Sequence, residues 1–228
     1  MDISTRVFIK TLLEGDHGHA LAIVKKWRAS SSRLEVYRDL ITPAMYDIGL
    51  RWQHGDITVA QEHLATGVCD FVLSQTEYEL VSQSKSIDAT PKAFFFTVEN
   101  EHHYLGLKMV SILFRERNWN VRFLQSDLPV REVLEEAERW NPQVIGLSFS
   151  LSYRVEELTG YLQSFSARLQ DPQVLIGGRL VSQYDFSSIG SLDTTFIEDL
   201  NALQRWFIDN EKIRRDEVNG KSGSTSII

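Results

Sequence analysis

The sequence predicts an α/β chain, a four-helix bundle followed by a doubly wound, parallel five-stranded sheet. Two observations carry this. From residue 4 to about residue 85, apolar residues recur three and four apart with no alternating run, the periodicity of amphipathic helices. Beyond residue 91, short runs rich in Phe, Val and Ile alternate with helical stretches, the pattern of a parallel sheet covered by helices on both faces.

Each element has its own signal. Phe8, Leu12 and Leu13 mark a first helix, ended by Gly15, and Ala20, Leu21, Val24 and Trp27 a second, which stops at the run 29–32. A third is expected over 34–54, through Val36, Leu40, Met45, Ile48 and Trp52, with a kink at Pro43. Gly55 and Asp56 break it before a fourth over 59–81. The bundle is assigned to residues 1–85 and a linker to 86–91, within a Ser-rich stretch. Strands follow at 93–98, 121–124, 144–148, 174–176 and 194–197, with helices at 106–116, 131–140, 155–169 and 199–213. This second domain, 92–213, reads as Rossmann- or flavodoxin-like, a fold that binds ligands at the carboxyl ends of its strands where the winding reverses. The loops after the first, third and fourth strands therefore matter most. Residues 214–228, polar and Gly/Ser-containing, are expected to be a disordered tail.

Composition narrows the function. The balance of 24 Lys+Arg against 31 Asp+Glu, a net charge of −7, argues against a phosphate-driven grip on nucleic acid. Cys69 is the only cysteine, so no internal disulfide forms, and it reads as a small core residue. With no export signal and no apolar run of about 18 residues, a cytoplasmic protein without a membrane segment is expected. Phosphate-loop, dinucleotide, zinc-protease and nucleophile-elbow motifs are absent. No set of acid, base and nucleophile assembles, so an enzyme is not expected.

The loop after the first strand reads Glu101-His102-His103-Tyr104-Leu105-Gly106. A histidine on a strand-end loop can reach the ligand crevice, and a carboxylate beside it can fix its tautomer and raise its basicity. Forty-one residues after Gly106 comes Ser148-Phe149-Ser150, and 26 after that Gly177-Gly178. In the helical half, Trp52 is followed after nine residues by Glu62-His63. Singly, each has an ordinary alternative: Trp52 as core, Glu62 as a solvated helix charge, His63 as a hydrogen-bonded surface histidine, Gly177-Gly178 as a tight turn.

Together these motifs resemble the cobalamin-binding domain shared by methionine synthase, corrinoid methyl carriers and cobalamin-dependent photoreceptors of the CarH/LitR type. The resemblance implies that His103 is the lower ligand of cobalt, chosen over His102 by its spacing to Gly106, with Glu101 behind it. It implies that Ser148 and Ser150 bind the nucleotide tail, although Ser150 stands where leucine is usual, and that Gly177 and Gly178 let the tail pass close to the backbone. Trp52, Val59, Glu62 and His63 are then expected to cover the upper face of the corrin. Gln53 stands where CarH-like receptors carry a second histidine, and His54 lies about 100° further around the helix, so His54 is not expected to substitute.

The reading implied is a cobalamin sensor, of light above all, holding adenosylcobalamin or another alkyl or aquo form. It would act on a partner protein, a transcription regulator or signalling enzyme, and a homo-oligomer is one option the residues leave open. Because the chain starts at the bundle, it resembles stand-alone modules, either the AerR class of antirepressors or photocobilins, which hold a bilin beside cobalamin. The competing reading is a corrinoid methyl carrier serving a methyltransferase.

Overall fold

The computed structural model describes residues 3–81, 91–99, 101–124, 128–148, 155–178, 181 and 193–222. Caps as much as apolar spacing set its first half. α1 (Ile3–Leu13) gives way at Gly15, and α2 (His17–Arg28) opens on Asp16, whose carboxylate accepts the His19 amide hydrogen at 2.9 Å. α3 (Arg33–Val36) starts from a capping box in which Ser32 and Glu35 satisfy each other's backbone amides.

The single helix expected over 34–54 is in fact three pieces: α3, a π-helical turn (Tyr37–Ile41) and α4 (Thr42–Gln53). Pro43 has no N–H to donate to the residue 39 carbonyl, and its ring crowds that carbonyl. The chain widens one turn instead of kinking, with the Thr42 amide reaching back five residues to the Tyr37 carbonyl. Pro43 then sits in the first turn of α4, where a missing donor costs nothing.

α4 ends in a Schellman motif: Gly55, at φ +79°, donates to the Trp52 carbonyl and Asp56 to the Arg51 carbonyl. α5 (Val59–Val81) opens on a second capping box, Thr58 with Gln61. Phe8, Leu12, Val24, Ile48, Val68 and Val72 bury the apolar faces of these helices against one another, and Cys69 lies among them.

The second half runs β1 (Lys92–Thr97), α6 (Leu105–Glu116), β2 (Asn120–Leu124), α7 (Val130–Trp140), β3 (Val144–Ser148), α8 (Val155–Arg168), β4 (Gln173–Gly177), β5 (Thr194–Ile197) and α9 (Leu200–Ser222). The sheet is wholly parallel in the order β2-β1-β3-β4-β5, so the winding reverses between β1 and β3. Period-two alternation along β1 divides the core. Phe94 and Phe96 pack with Trp140 of α7 and Phe165 of α8, whereas Ala93 and Phe95 face α6 and α9. That second layer is continuous with the core of the bundle.

All five strands stand where the apolar runs place them. The last helix does not end at 213: α9 continues to Ser222, so residues 214–222, expected to be disordered, are helical. This stretch lacks an apolar stripe, so periodicity misses it; its helix propagates from the start of α9, which is packed through Leu203, Trp206 and Phe207. Most of the expected linker and the end of the expected tail fall outside the described residues. Among the described residues no helix is long and apolar enough to cross a membrane.

The bundle docks through α5 on α6. Lys108 of α6, 6% exposed, donates to Asp70 at 2.6 Å and to Ser74 at 2.8 Å. Further along, Arg115 pairs with Glu77 at 2.8 Å, and the buried Arg33 joins Glu116 to the Thr76 carbonyl. Contacts therefore advance along α5 and α6 together, and the two helices run in the same direction.

Candidate functional site

The site begins at the loop between β1 and α6. Glu101 is buried, its carboxylate fully so, and one oxygen accepts from both the His103 amide (2.8 Å) and His103 Nδ1 (2.6 Å). An ionised carboxylate only accepts, so Nδ1 carries the proton and Nε2 keeps its lone pair. The imidazole is half exposed, with Nε2 left to serve as a ligand. His102 is exposed in the same loop. Among the described residues a Cβ at Gly106 would meet nothing within 4 Å, so packing against them does not demand glycine there. The loop is further held by the Tyr161 hydroxyl of α8, which accepts from the Glu99 amide at 3.2 Å.

Across the carboxyl edge of the sheet, register puts Thr97, Ser148, Gly177 and Ile197 side by side. The Ser148 hydroxyl is buried and has no hydrogen-bond partner among the described residues. Among the described residues, a Cβ at Gly177 would meet the Ile197 carbonyl alone, at 3.8 Å, which leaves room beside them. Gly178 has φ +132°, a conformation that side chains resist. Ser150 lies outside the described residues.

On the bundle, Trp52 is 44% exposed and so is not a core residue; Val59, at the first position of α5, is 53% exposed. Glu62 accepts from His63 Nδ1 at 2.8 Å and from the Thr66 hydroxyl at 2.9 Å, while His63 is exposed. His54 caps the end of α4.

Helix direction gathers these groups at one end of the molecule. The carboxyl edge of the sheet leads through the His103 loop into the start of α6, and α5 runs parallel to α6. With Asp70 level with Lys108, α5 extends about 12 Å further than α6 at 1.5 Å per residue. Glu62, Thr66, Asp70 and Ser74, spaced by fours, form one stripe that leads toward that end, and Trp52 lies in the last turn of the preceding helix. The donors fit cobalamin. One histidine with a free nitrogen suits a metal whose other positions a macrocycle fills; the room at Gly177 and the orphaned hydroxyl suit a slender polar tail; the exposed indole suits a flat apolar face. A separate cavity of about 410 Å³ between α1 and α2, lined by Val7, Thr11, His19, Ala22, Ile23 and Lys26 among others, holds none of these residues.

A family model described as a B12 binding domain matches residues 91–204, half of the chain, and a second so described matches residues 6–76. The chain belongs to the B12-binding domain family. It is a cobalamin-binding protein, and both matches fall on the halves that carry the motifs. It is similar to the dimethylamine corrinoid protein of Methanosarcina barkeri, 21% identical over 173 residues, covering 75% of this chain and 81% of that protein. It is also similar to the HTH-type transcriptional repressor CarH of Myxococcus xanthus, 25% identical over 126 residues, covering 54% of this chain and 40% of the repressor. Among solved structures, the monomethylamine corrinoid protein of Methanosarcina barkeri superposes with a TM-score of 0.66 at 15% identity, over 86% of this chain and 93% of that one. At that identity the likeness shows the fold, Rossmann-like with a bundle.

Sequence reasoning missed that Thr97, which reads as the end of an apolar strand, stands beside Ser148 in register. Thr66 was missed too, although its spacing of four from Glu62 is a readable signal.

Proposed function

We propose that this cobalamin-binding protein is a light sensor that changes shape or assembly and thereby regulates a partner protein, a transcription regulator. The observation that carries this is Trp52. An exposed indole forgoes hydrophobic stabilisation, and this one lies in the last turn of α4, one short connection before the helix that carries the ordered polar set Glu62, His63 and Thr66. Such a surface is suited to covering a removable upper group. When bound, an alkylcobalamin supplies a cobalt–carbon bond that visible light breaks. The residues of the chain would do the rest: His103, steered by Glu101, would hold the metal; Trp52 and Val59 would present the apolar cover; Glu62 and His63 would orient polar groups of the removable ligand. Contacts made in only one state of that ligand are the differential energy a switch requires. No reaction is assigned to the side chains themselves.

The test is to load the protein with adenosylcobalamin in the dark and compare absorption spectrum and size-exclusion mass before and after green light. A histidine-ligated spectrum that His103→Ala abolishes, with a mass or partner affinity that changes on illumination, is the expected result. A mass and partner affinity indifferent to light would overturn the sensor reading. An absorption band beyond those of the corrin, after expression with a bilin, would add a second chromophore.

A second reading, a corrinoid methyl carrier, is favoured by coverage: the dimethylamine corrinoid protein is matched over 81% of its length, CarH over 40%. A carrier needs an upper face open to a methyltransferase. Trp52→Ala would then leave methyl exchange intact or faster, whereas the sensor reading expects it to weaken discrimination among upper ligands.

A further inference from the structure

Most of the circumference of α5 is packed. Ala65, Val68, Cys69, Val72, Leu73 and Thr76 turn into the bundle, and Asp70, Ser74 and Glu77 meet α6. The remaining arc carries Leu64, Phe71 and Tyr78, each seven residues after the last. They are 45%, 36% and 69% exposed, large apolar side chains that the fold leaves in water. The His17 ring meets Phe71 edge-on, at a centroid distance of 5.1 Å, and covers one side of the row. No described element covers the rest.

A second series, Ala60, Gly67 and Ser74, also runs at intervals of seven and falls between the members of the first. Together they make the alternating three-and-four spacing by which one helix seats another. Gly67 is the decisive member. It stands at mid-helix, where glycine is less favourable than every residue but proline, and among the described residues a Cβ there would meet nothing within 4 Å. Packing against those residues does not ask for its small size. A side chain from another molecule, seated on its backbone, does.

The row selects a copy of itself as that molecule. In a parallel pair Phe71 would meet Phe71 and Gly67 would meet Gly67, crowding one layer and emptying the next. In an antiparallel pair centred at residue 69, each large side chain faces a small one: Tyr78 of one copy over Ala60 of the other, Leu64 over Ser74, Phe71 over Gly67. Every pairing then occurs twice, as a two-fold axis requires. Charge agrees. The end of α5 with Glu77 and Glu79 comes beside the start of the other α5, where His63 and the positive pole of the helix lie. A parallel pair would set acid against acid. Asp70, close to the axis, is held by Lys108 of its own chain at 2.6 Å.

We infer that this face of α5 is a dimer interface, which pairs antiparallel with α5 of a second copy of the chain. The helix has 23 residues, so the strip is about 35 Å long and about 10 Å wide. Two such strips bury about 700 Å², an area that suits reversible association. The inference does not rest on cobalamin binding, because none of the residues in the two series belongs to that site.

The experiment is sedimentation equilibrium of the ligand-free full chain from about 1 to about 100 μM. Wild type, Gly67→Leu, Phe71→Ala and the double variant Gly67→Leu/Phe71→Ala are compared, with thermal unfolding of each at the lowest concentration. Wild type is expected to pass from monomer to dimer with a Kd of about 10 μM. Gly67→Leu sets leucine against Phe71 and should weaken the dimer at least about tenfold. It should also raise the melting temperature of the monomer, because a glycine inside a helix has been replaced. That rise separates a blocked interface from a damaged fold. Phe71→Ala should weaken the dimer likewise. In the double variant large again faces small, and its Kd should return to within about threefold of wild type. A monomer at every concentration would overturn the inference and leave the face to a helix of another protein. So would a dimer that Gly67→Leu leaves intact, or a double variant no tighter than the single ones.

Discussion

Glu101 and His103 show how much one buried carboxylate decides. Its oxygen receives both the amide and the ring N–H of His103, so loop conformation and tautomer are fixed together. Glu101→Gln keeps the shape but removes the charge that makes the imidazole a better donor. Its expected effect is about a 10–100-fold loss of cobalamin affinity with the fold intact, measured by spectral titration and circular dichroism. Cys69 is the opposite case. Burial, with the charge of Asp70 as a lesser cause, pushes its thiol up to about 12, so at pH 8 the native protein should resist iodoacetamide. Alkylation should follow the urea unfolding curve instead. At this scale the sequence was legible where spacing carries chemistry, as in Glu101-x-His103-x-x-Gly106. It was silent on the pairing of Thr97 with Ser148, which joins residues 51 apart in the chain.

Elements were legible wherever burial gives them a period. Five short apolar runs became five strands because parallel strands covered on both faces are apolar throughout. The π-helical turn escaped because one widened turn shifts the apolar pattern by a single residue, and Pro43 signals a disturbance without saying which kind. Between elements, the buried Lys108 and the half-buried Asp70 join α6 to α5. Lys108→Met should destabilise by about 3 kcal/mol by leaving Asp70 unpaired. Adding Asp70→Leu should recover most of that loss, as read by urea unfolding. On β3, Gly146→Ala drives a Cβ into the Phe95 ring, and overpacking of this kind costs about 1–3 kcal/mol.

The start of α2 has its own pH window. Hydrogen bonds from the His19 amide and ring hold the Asp16 carboxyl below its usual range, and Asp16 in turn raises the His19 imidazole. The Asp16 contribution is present above the ordinary carboxylate range and lost as pH falls through the lowered value. The His19 contribution is full below its ordinary value of 6.5 and lost as pH rises through the raised one. Amide protection in α2, corrected for intrinsic exchange, should therefore be greatest in mildly acidic solution and decline on either side.

At the scale of the whole molecule, the gathering of the motifs follows from direction alone. A parallel strand delivers its loop to one edge, and α5, bound side by side with α6, delivers the start of its own stripe to the same edge. The sequence identified both motifs but could not place them together, since Asp70–Lys108 and Glu77–Arg115 are pairings that no periodicity announces.

The apolar core passes from the bundle into one layer of the sheet without a break. Two polypeptides, residues 1–85 and 86–228, expressed together should for that reason find each other and copurify, held by the interface that the intact chain folds around. Neither fragment carries a whole set of motif residues, so cobalamin capture would report their reunion, and the protein would serve as a split reporter assembled by its own core.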